Sequence, residues 1–428
     1  MLSLVVLVHR GRSSFDQIDK ECKKLGVNIL LVSSSTGNEA LDKELLERAH
    51  EAYFSTNHTL TYAEVSDCLK AFSSAGYKLI GCISVWEGYR EIMAEINGML
   101  KANDISVDVV RLLRDKYRLR KKLQKLGVSN VYCDVLSEGI LEKAKLSVSE
   151  YYIKPRFGIA SYGAFKVTQD ITWGSISCLK SEISLDKAHN HCFGNLDFII
   201  EDYLDGTEYS FEVFVDKKNT CTIAIHEKVE MRSAMHTTLE SALISPPISL
   251  PITEQLKATG WIESVFDAIG IETGCFHVEA KKTNRGWELI EINPRIGGSY
   301  IPDSVYLTSK ISLLSCWIRS LNTELCEGVL LQARRSEIEQ DNSNKKTSAF
   351  FRIYYGKPGK KITDVNFVPK IEPIAQEFFF TEGDVYPTKS CEVFLGHCLW
   401  SLNSSETRRS AIEELTNNSE SYLDVTYD

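Results

Sequence analysis

The sequence predicts a multidomain protein of α/β and α+β character. Three observations carry that expectation. A chain of 428 residues exceeds what one ordinary core accommodates. Its first hundred residues alternate short apolar runs with amphipathic stretches, the pattern of a parallel sheet with helices on its faces. Between Gly274 and Tyr300 apolar and charged residues alternate at period two on both sides of a glycine-containing turn, the pattern of a β-hairpin.

Taken in order, Leu2–Val8, Val27–Val32 and Lys78–Ile83 read as buried strands, and residues 15–25, 39–51, 62–73 and 87–100 as helices. No GxGxxG loop follows the first strand. His9-Arg10-Gly11-Arg12 stands there instead, so no nucleotide is expected at this sheet. His9 and Arg12 sit either at a ligand-binding strand end or in an exposed basic loop. The basic segment Arg111–Leu123 reads as a helix burying Leu119, Leu123 and Leu126, ended by Gly127. Tyr151–Val167 reads as a strand ending at Lys154-Pro155, a loop with Gly158, Ser161 and Gly163, and a returning strand. A lysine beside such a loop suits a mobile phosphate cover, because unshielded backbone N–H groups can approach the oxygens. The pair His189 and His191 beside Cys192 reads as a surface loop.

Phe198–Ile200 reads as a strand, Glu201–Leu204 as an extended linker, Asp205-Gly206 as a turn and Glu208–Val215 as a strand. Extended backbone beside a cleft suits a purine edge, and a neighbouring Glu suits ribose hydroxyls. After a strand at Thr222–Ile225, a long loop is expected to carry His226, Glu227, Lys228, Arg232 and His236. Arg232 is a candidate for pairing with a substrate carboxylate. A helix follows at Thr253–Ile269, and Ile301–Leu321 is mostly helical. Arg334–Lys346 reads as a linker. Residues 349–355, 362–368, 378–380 and 393–399 read as strands, 404–415 as a helix and 421–426 as a last strand. The domains expected are 1–105 (α/β), 106–330 (a central region with a lid at about 150–215) and 331–428 (small, α+β).

Composition narrows the function classes. With 43% hydrophobic and 25% charged residues the chain is of ordinary globular type. A formal charge of −9 argues against nucleic acid or an acidic membrane as partner. Twelve scattered cysteines without a CxxC pair fit reduced thiols and a cytoplasmic location. The apolar N-terminal run is too short to span a membrane.

The hairpin holds the chemistry. Centring its turn on Arg285 places Glu279 opposite Glu291 and His277 opposite Asn293. Directly opposed like charges destabilise a sheet. A hard divalent cation relieves them, and Mg²⁺ takes a few carboxylates plus substrate phosphates. Asn293-Pro294-Arg295 ends the second arm, and Gly297-Gly298 opens a turn.

Together these stretches resemble the ATP-grasp superfamily: a KPxxGxxSxG form at Lys154–Gly163 and an E-x-N-P-R form at Glu291–Arg295. The likeness spans roughly Arg111 to Leu321. Within the superfamily the chain is similar to carboxylate–amine ligases that join amino acids, including the L-amino acid (dipeptide) ligases, on the strength of His277-Val278-Glu279 and the strand-rich C-terminal part. The resemblance implies an ATP-grasp fold with an N-terminal Rossmann-like parallel-sheet domain and a small strand-rich C-terminal domain. It also implies these roles: Lys116 and Lys154 on ATP phosphates; Gly158, Ser161 and Gly163 in the closing loop; Glu201, Tyr203 and Leu204 in the adenine hinge; Glu208 on ribose. Glu279, Glu291 and Asn293 would hold Mg²⁺, with Mn²⁺ as the alternative ion. Arg295 would face the γ-phosphate and transferred group, with Lys228 and His277 on the nucleotide or substrate side. The implied reaction phosphorylates a carboxylate with ATP, and an amine then attacks the acyl phosphate. Its products are an amide, ADP and phosphate, both organic substrates being amino-acid-like, and a homodimer is the implied assembly. The alternatives are an ATP-grasp enzyme of purine or bicarbonate-activating metabolism, or a nucleotide-binding protein without turnover.

Overall fold

In the computed structural model, which describes residues 2–11, 15–234, 236–322, 324–325, 347–403 and 408–428, the chain begins with β1 (Leu2–Val8), α1 (Phe15–Leu25), β2 (Asn28–Ser33), α2 (Glu39–Arg48), β3 (Glu51–Phe54), α3 (Tyr62–Ser74), β4 (Lys78–Ile83) and α4 (Arg90–Leu100). The strands pair in parallel in the order β3-β2-β1-β4. β1 and β2 are buried along nearly their whole length, as a sheet covered on both faces requires. Asn38 caps α2 by accepting the Ala40 and Leu41 N–H groups, and Thr61 with Glu64 closes a capping box on α3. The helix expected at 39–51 stops at Arg48, and Glu51–Phe54 is a strand. Four residues at a sheet edge are too few to show a period.

The next part comprises α5 (Val107–Arg114), α6 (Lys116–Lys125), β5 (Cys133–Val135), α7 (Glu138–Lys145), β6 (Tyr151–Pro155), β7 (Phe165–Lys166), α8 (Trp173–Leu185) and β8 (Phe198–Asp202), with strand order β5-β8-β6-β7. The basic segment is thus two helices, not one. Asp115 breaks it with ψ 90° and caps α6, accepting the Arg118 N–H at 3.0 Å. The Arg156 guanidinium donates to both Asp115 oxygens, at 2.9 and 2.7 Å. The break puts Lys116 at the first position of α6, beside the glycine loop.

The remaining elements are β9 (Thr207–Asp216), β10 (Asn219–Ala234), β11 (Thr237–Ser245), α9 (Ile252–Ile269), β12 (Gly274–Thr283), β13 (Gly286–Asn293), α10 (Ile301–Ser309), α11 (Leu313–Ser320), β14 (Ser348–Tyr354), β15 (Ile362–Phe367), β16 (Ala375–Phe378), β17 (Gly396–Leu402), α12 (Arg408–Asn418) and β18 (Leu423–Tyr427). Eight of these strands form one antiparallel sheet, β13-β12-β9-β10-β11-β14-β17-β16, while β15 and β18 pair separately. The long loop expected after Thr222–Ile225 is instead strand: β10 runs on to Ala234 and returns as β11. Its charged residues pair with nearby strands, Lys228 with Glu208, Glu240 and Glu279 and Glu230 with Arg352, and that polarity resembles a loop. Three strands after residue 347 extend the large sheet. The terminal strands lie a few residues from the positions expected, at 375–378, 396–402 and 423–427. Arg12, the Arg334–Lys346 linker and Ser404 fall outside the described residues.

Period two sorts this sheet into two faces. Tyr209, Phe211, Val213 and Val215 on β9 pack with Phe276, Val278 and Ala280 on β12 against Ile262, Val265 and Phe266 of α9. Each such buried side chain contributes roughly 1.5–3 kcal/mol. The intervening residues (Ser210 and Glu212, His277, Glu279 and Lys281) therefore face the other way, where His277, Glu279 and Lys281 line a cleft and Ser210 and Glu212 are buried beneath it. A one-residue slip would exchange the two faces, so the apolar core fixes the register of the polar one. Gly206, at φ +136°, lets the chain before β9 pass against β12; a Cβ there would lie 2.1 Å from the Lys282 carbonyl oxygen.

Candidate active site

The cleft has a volume of about 1130 Å³ and is bounded by the glycine loop, the end of β8, the β10–β11 pair, the β12–β13 hairpin and the segment after β13. The hairpin has the register expected: Glu279 pairs with Glu291 and His277 with Asn293, with an irregularity just past Glu279. Lys116, Lys154, Gly158, Ser161, Glu201, Tyr203, Leu204, Glu208, Lys228, His277, Glu279, Glu291, Asn293 and Arg295 all line the cleft. Gly163 stands outside that lining. Its N–H donates to the Ser390 carbonyl, and a Cβ on it would press within 3.1 Å of Phe198.

The opposed carboxylates are matched by cations of the chain itself. Lys116 Nζ lies 3.0 Å from Glu291 Oε2. Lys228 Nζ reaches Glu279 at 3.0 Å, Glu208 at 2.7 Å and Glu240 at 2.8 Å. Burial works against both lysines' charge, but the glutamates outweigh it and raise their pKa values. His277 donates from Nδ1 to Glu212 at 2.6 Å and from Nε2 to Glu279 at 3.2 Å. Burial alone would lower its pKa, yet Glu212 pushes it up to about 10, so the imidazolium persists at neutral pH. Glu279 is held far below the usual carboxylate range, burial being outweighed by Lys228. Glu291 is lowered too, Lys116 outweighing burial, and it accepts from the Asn293 amide at 2.8 Å.

A second ion-paired group sits at the hinge. Glu201 belongs to β8 rather than to a linker, and its carboxylate takes Arg120 at 2.9 Å and Lys154 at 2.6 Å. Burial would raise its pKa; Arg120 and Lys154 bring it down to about 2. The Tyr203 N–H donates to Glu150, and the Leu204 carbonyl accepts from Lys281. Arg295 is oriented by Glu87 at 3.0 Å and by its donation to the Ile296 carbonyl. Arg232 is bound by Glu230 and Glu420.

Sequence reasoning missed Glu87, Arg120, Glu212, Glu240 and Glu392. Only Glu212 had a legible signal, since Glu208, Ser210 and Glu212 share one face of β9. Glu392 and Glu240 come from distant segments: the Glu240 N–H donates to Glu392 at 3.0 Å and the Tyr355 hydroxyl at 3.3 Å. Burial, then the nearby Glu240 charge, pushes Glu392 up to about 8, and burial raises Glu240. Nor do His189 and His191 form a surface loop. The Trp86 indole N–H donates to His191 at 3.0 Å, and His9 stacks on Trp86 at 4.5 Å and bonds Tyr89 at 2.9 Å. His9 thus sits in a packed aromatic cluster rather than an exposed loop.

The glycine loop is tied to the segments beside it. Ala160 and Ser161 take positive φ, and their carbonyls accept from the Glu392 N–H and the Thr237 hydroxyl. Among the described residues no group of three or more His, Cys, Asp or Glu side chains is arranged to hold a metal ion. Two carboxylates and an amide on one face fit Mg²⁺ shared with phosphates, not an all-protein cage.

Residues 149–303 match the model of the ATP-grasp domain. No curated protein matches the sequence. Among solved structures, an L-amino acid ligase from Bacillus licheniformis superposes with TM-score 0.76 at 18% identity, covering 100% of this chain and 99% of that one. A phosphoribosylglycinamide synthetase from Anaerococcus prevotii gives 0.66 at 15%, covering 100% of each chain. The biotin carboxylase domain of the 2-oxoglutarate carboxylase from Hydrogenobacter thermophilus, in complex with MgADP and bicarbonate, gives 0.66 at 15%, covering 99% of this chain and 90% of that one. The chain thus has the ATP-grasp fold and, over residues 149–303, an ATP-grasp domain.

Proposed function

We propose that this protein is an ATP-dependent carboxylate–amine ligase acting on amino-acid-like substrates, forming an amide through an acyl phosphate and releasing ADP and phosphate. The observation that carries the reading is the hairpin register. Glu279 and Glu291 face each other beside Asn293, each carboxylate held by a lysine that a cation and a polyphosphate can displace. Likeness to the L-amino acid ligase supports it at the level of fold.

In this reading Lys116 and Lys154 lie along the phosphates and Gly158–Gly163 covers them. Tyr203 and Leu204 offer backbone to adenine, and Glu208 takes ribose once Lys228 turns to phosphate. Glu201 acts through its ion pair, holding Lys154 in place. Glu279, Glu291 and Asn293 would hold Mg²⁺, which would supply neutralisation of the phosphate charge. A carboxylate oxygen attacks the γ-phosphorus and ADP departs. Arg295 faces the transferred group and balances charge on the tetrahedral centre formed when the amine adds. His277, fixed in its charged form by Glu212, orients Glu279 rather than moving protons. The loop keeps water from the acyl phosphate.

Purine-pathway and bicarbonate-activating enzymes share the fold. A phosphate-release screen over pairs of amino acids and common diacids, followed by mass spectrometry, separates the readings. Phosphate and ADP are expected only with acid and amine together. Release of AMP and pyrophosphate, or turnover with bicarbonate alone, would overturn the proposal.

A further inference from the structure

Directly after the Gly297-Gly298 turn, Ser299 lines the cleft, and its hydroxyl lies 2.7 Å from Nδ1 of His397 on β17. The other ring nitrogen, Nε2, lies 3.4 Å from the carboxylate of Glu377 on β16. His397 is buried, while the Glu377 side chain is 61% exposed. The three groups form a chain from the cleft wall, through a buried imidazole, to water. The ligase reading assigns them no role.

We propose that Ser299, His397 and Glu377 form a proton relay that deprotonates the incoming amine, Ser299 contacting the ammonium and His397 acting through it. This inference rests on the ligase reading. An amino acid reaches the cleft mostly as an ammonium, because an α-amino group titrates near ~8, and an ammonium has no lone pair with which to attack. Several of the cleft's other titratable groups are poorly suited to take its proton, Glu392 being the rival that Glu392→Gln tests. Lys116 and Lys228 are held charged by carboxylates, and His277 is held as imidazolium by Glu212. Glu279 and Glu291 are engaged by Lys228, His277 and Lys116. His397 differs: burial lowers its pKa against the opposing pull of Glu377, so it stands neutral and able to accept. Of its other titratable neighbours, Tyr300 and Cys398 are pushed up to about 12, by burial first, and leave no charge near neutral pH. Asp303, near Tyr300, is raised by burial.

The step balances. One ammonium proton passes to Ser299 Oγ as the serine's own proton passes to His397 Nδ1, and Nε2–H donates to Glu377. The freed lone pair forms the C–N bond at the acyl carbon. The C–O bond to phosphate breaks, and the departing phosphate takes its electron pair and the second nitrogen proton. The His397 proton leaves to water past Glu377.

Hydroxylamine supplies the test, because it is uncharged at neutral pH and needs no base. Full-length wild type, His397→Gln and Ser299→Ala are each given ATP, Mg²⁺ and a panel of amino acids, with either hydroxylamine or a second amino acid as acceptor. Amide formation should fall ~100-fold or more in both variants, while hydroxamate formation stays within about threefold of wild type. The pH profile for the amino-acid acceptor should move to higher pH, where the free amine is already abundant. Thermal melting and ATP binding establish that each variant is folded. Wild type that makes no hydroxamate with any acid would overturn the ligase reading itself. If wild type makes both products, equal loss of both in the folded variants would overturn the relay and leave a turn-anchoring role. Loss of neither, or the same split appearing instead in Glu392→Gln, would also overturn it.

Discussion

The cleft has two walls of opposite electrostatic design. On the hairpin wall nearly every carboxylate has a cation within about 3 Å: Glu291 has Lys116, Glu279 has Lys228 and His277, and Glu201 has Arg120 and Lys154. On the C-terminal wall Glu392 meets a backbone N–H, a tyrosine hydroxyl and another glutamate, and is pushed up to about 8 by burial and Glu240. The carboxylates of the first wall are paired before any ligand arrives, so in the proposed reading a nucleotide and its metal would bind by exchanging partners rather than by curing repulsion. The second wall retains a proton. The sequence suggested two bare carboxylates awaiting a metal; the fold had already supplied the lysines.

Substitutions can break this contrast. Glu201→Gln should have the largest effect on stability. It strands Arg120 and Lys154 in a buried site, which costs about 3–5 kcal/mol, read as a lowered urea midpoint at unchanged m-value. A change under about 1 kcal/mol would show that the cluster is solvated. Glu291→Gln should lower acid- and amine-dependent phosphate release by ~100-fold or more while the melting temperature moves little, because lost repulsion with Glu279 offsets lost attraction to Lys116. Near-normal release would remove the hairpin from the metal site. Lys154→Ala should weaken ATP binding by roughly tenfold, about 1.4 kcal/mol, measured by calorimetry.

The smallest effects are in pH, and the two walls should give slopes of opposite sign. Glu201 falls from 4.5 to about 2 on folding, so its stabilisation is complete above pH 4.5 and is lost as pH drops through about 2. Glu392 rises from 4.5 to about 8, so the folded chain holds an extra proton and stability declines as pH rises from 4.5 through about 8. The latter slope is at most about 1.4 kcal/mol per pH unit. Denaturant titrations between pH 5 and 9 should show Glu392→Gln flattening it. An unchanged slope would place the proton elsewhere.

The sequence determined whatever depends on local period and local chemistry. Alternation gave the β12–β13 register at His277–Glu279, while an irregularity past Glu279 shifts the pairing by one residue toward the turn. Apolar runs gave β1 and β4, and the strand ending at Lys154-Pro155 with its glycine loop and returning strand was legible as local structure. Local signals failed where partners are distant in sequence or patterns are reversed. The β10–β11 pair looked like a loop because its inward residues are charged. Asp115 looked like one more helical residue, since only its bond to Arg156 shows why the helix breaks there. Glu392 and His397 carry no motif at all. They come near the hairpin because β14, β17 and β16 extend the large sheet, although Glu392 and His397 lie more than 90 residues beyond it in the chain. The sequence by itself thus determined the pairing of Glu279 with Glu291 and the strand, loop and returning strand around Lys154. Tertiary structure alone decided which cations pair with the hairpin and which groups from distant strands come near it, because charge pairing is set by distance in space.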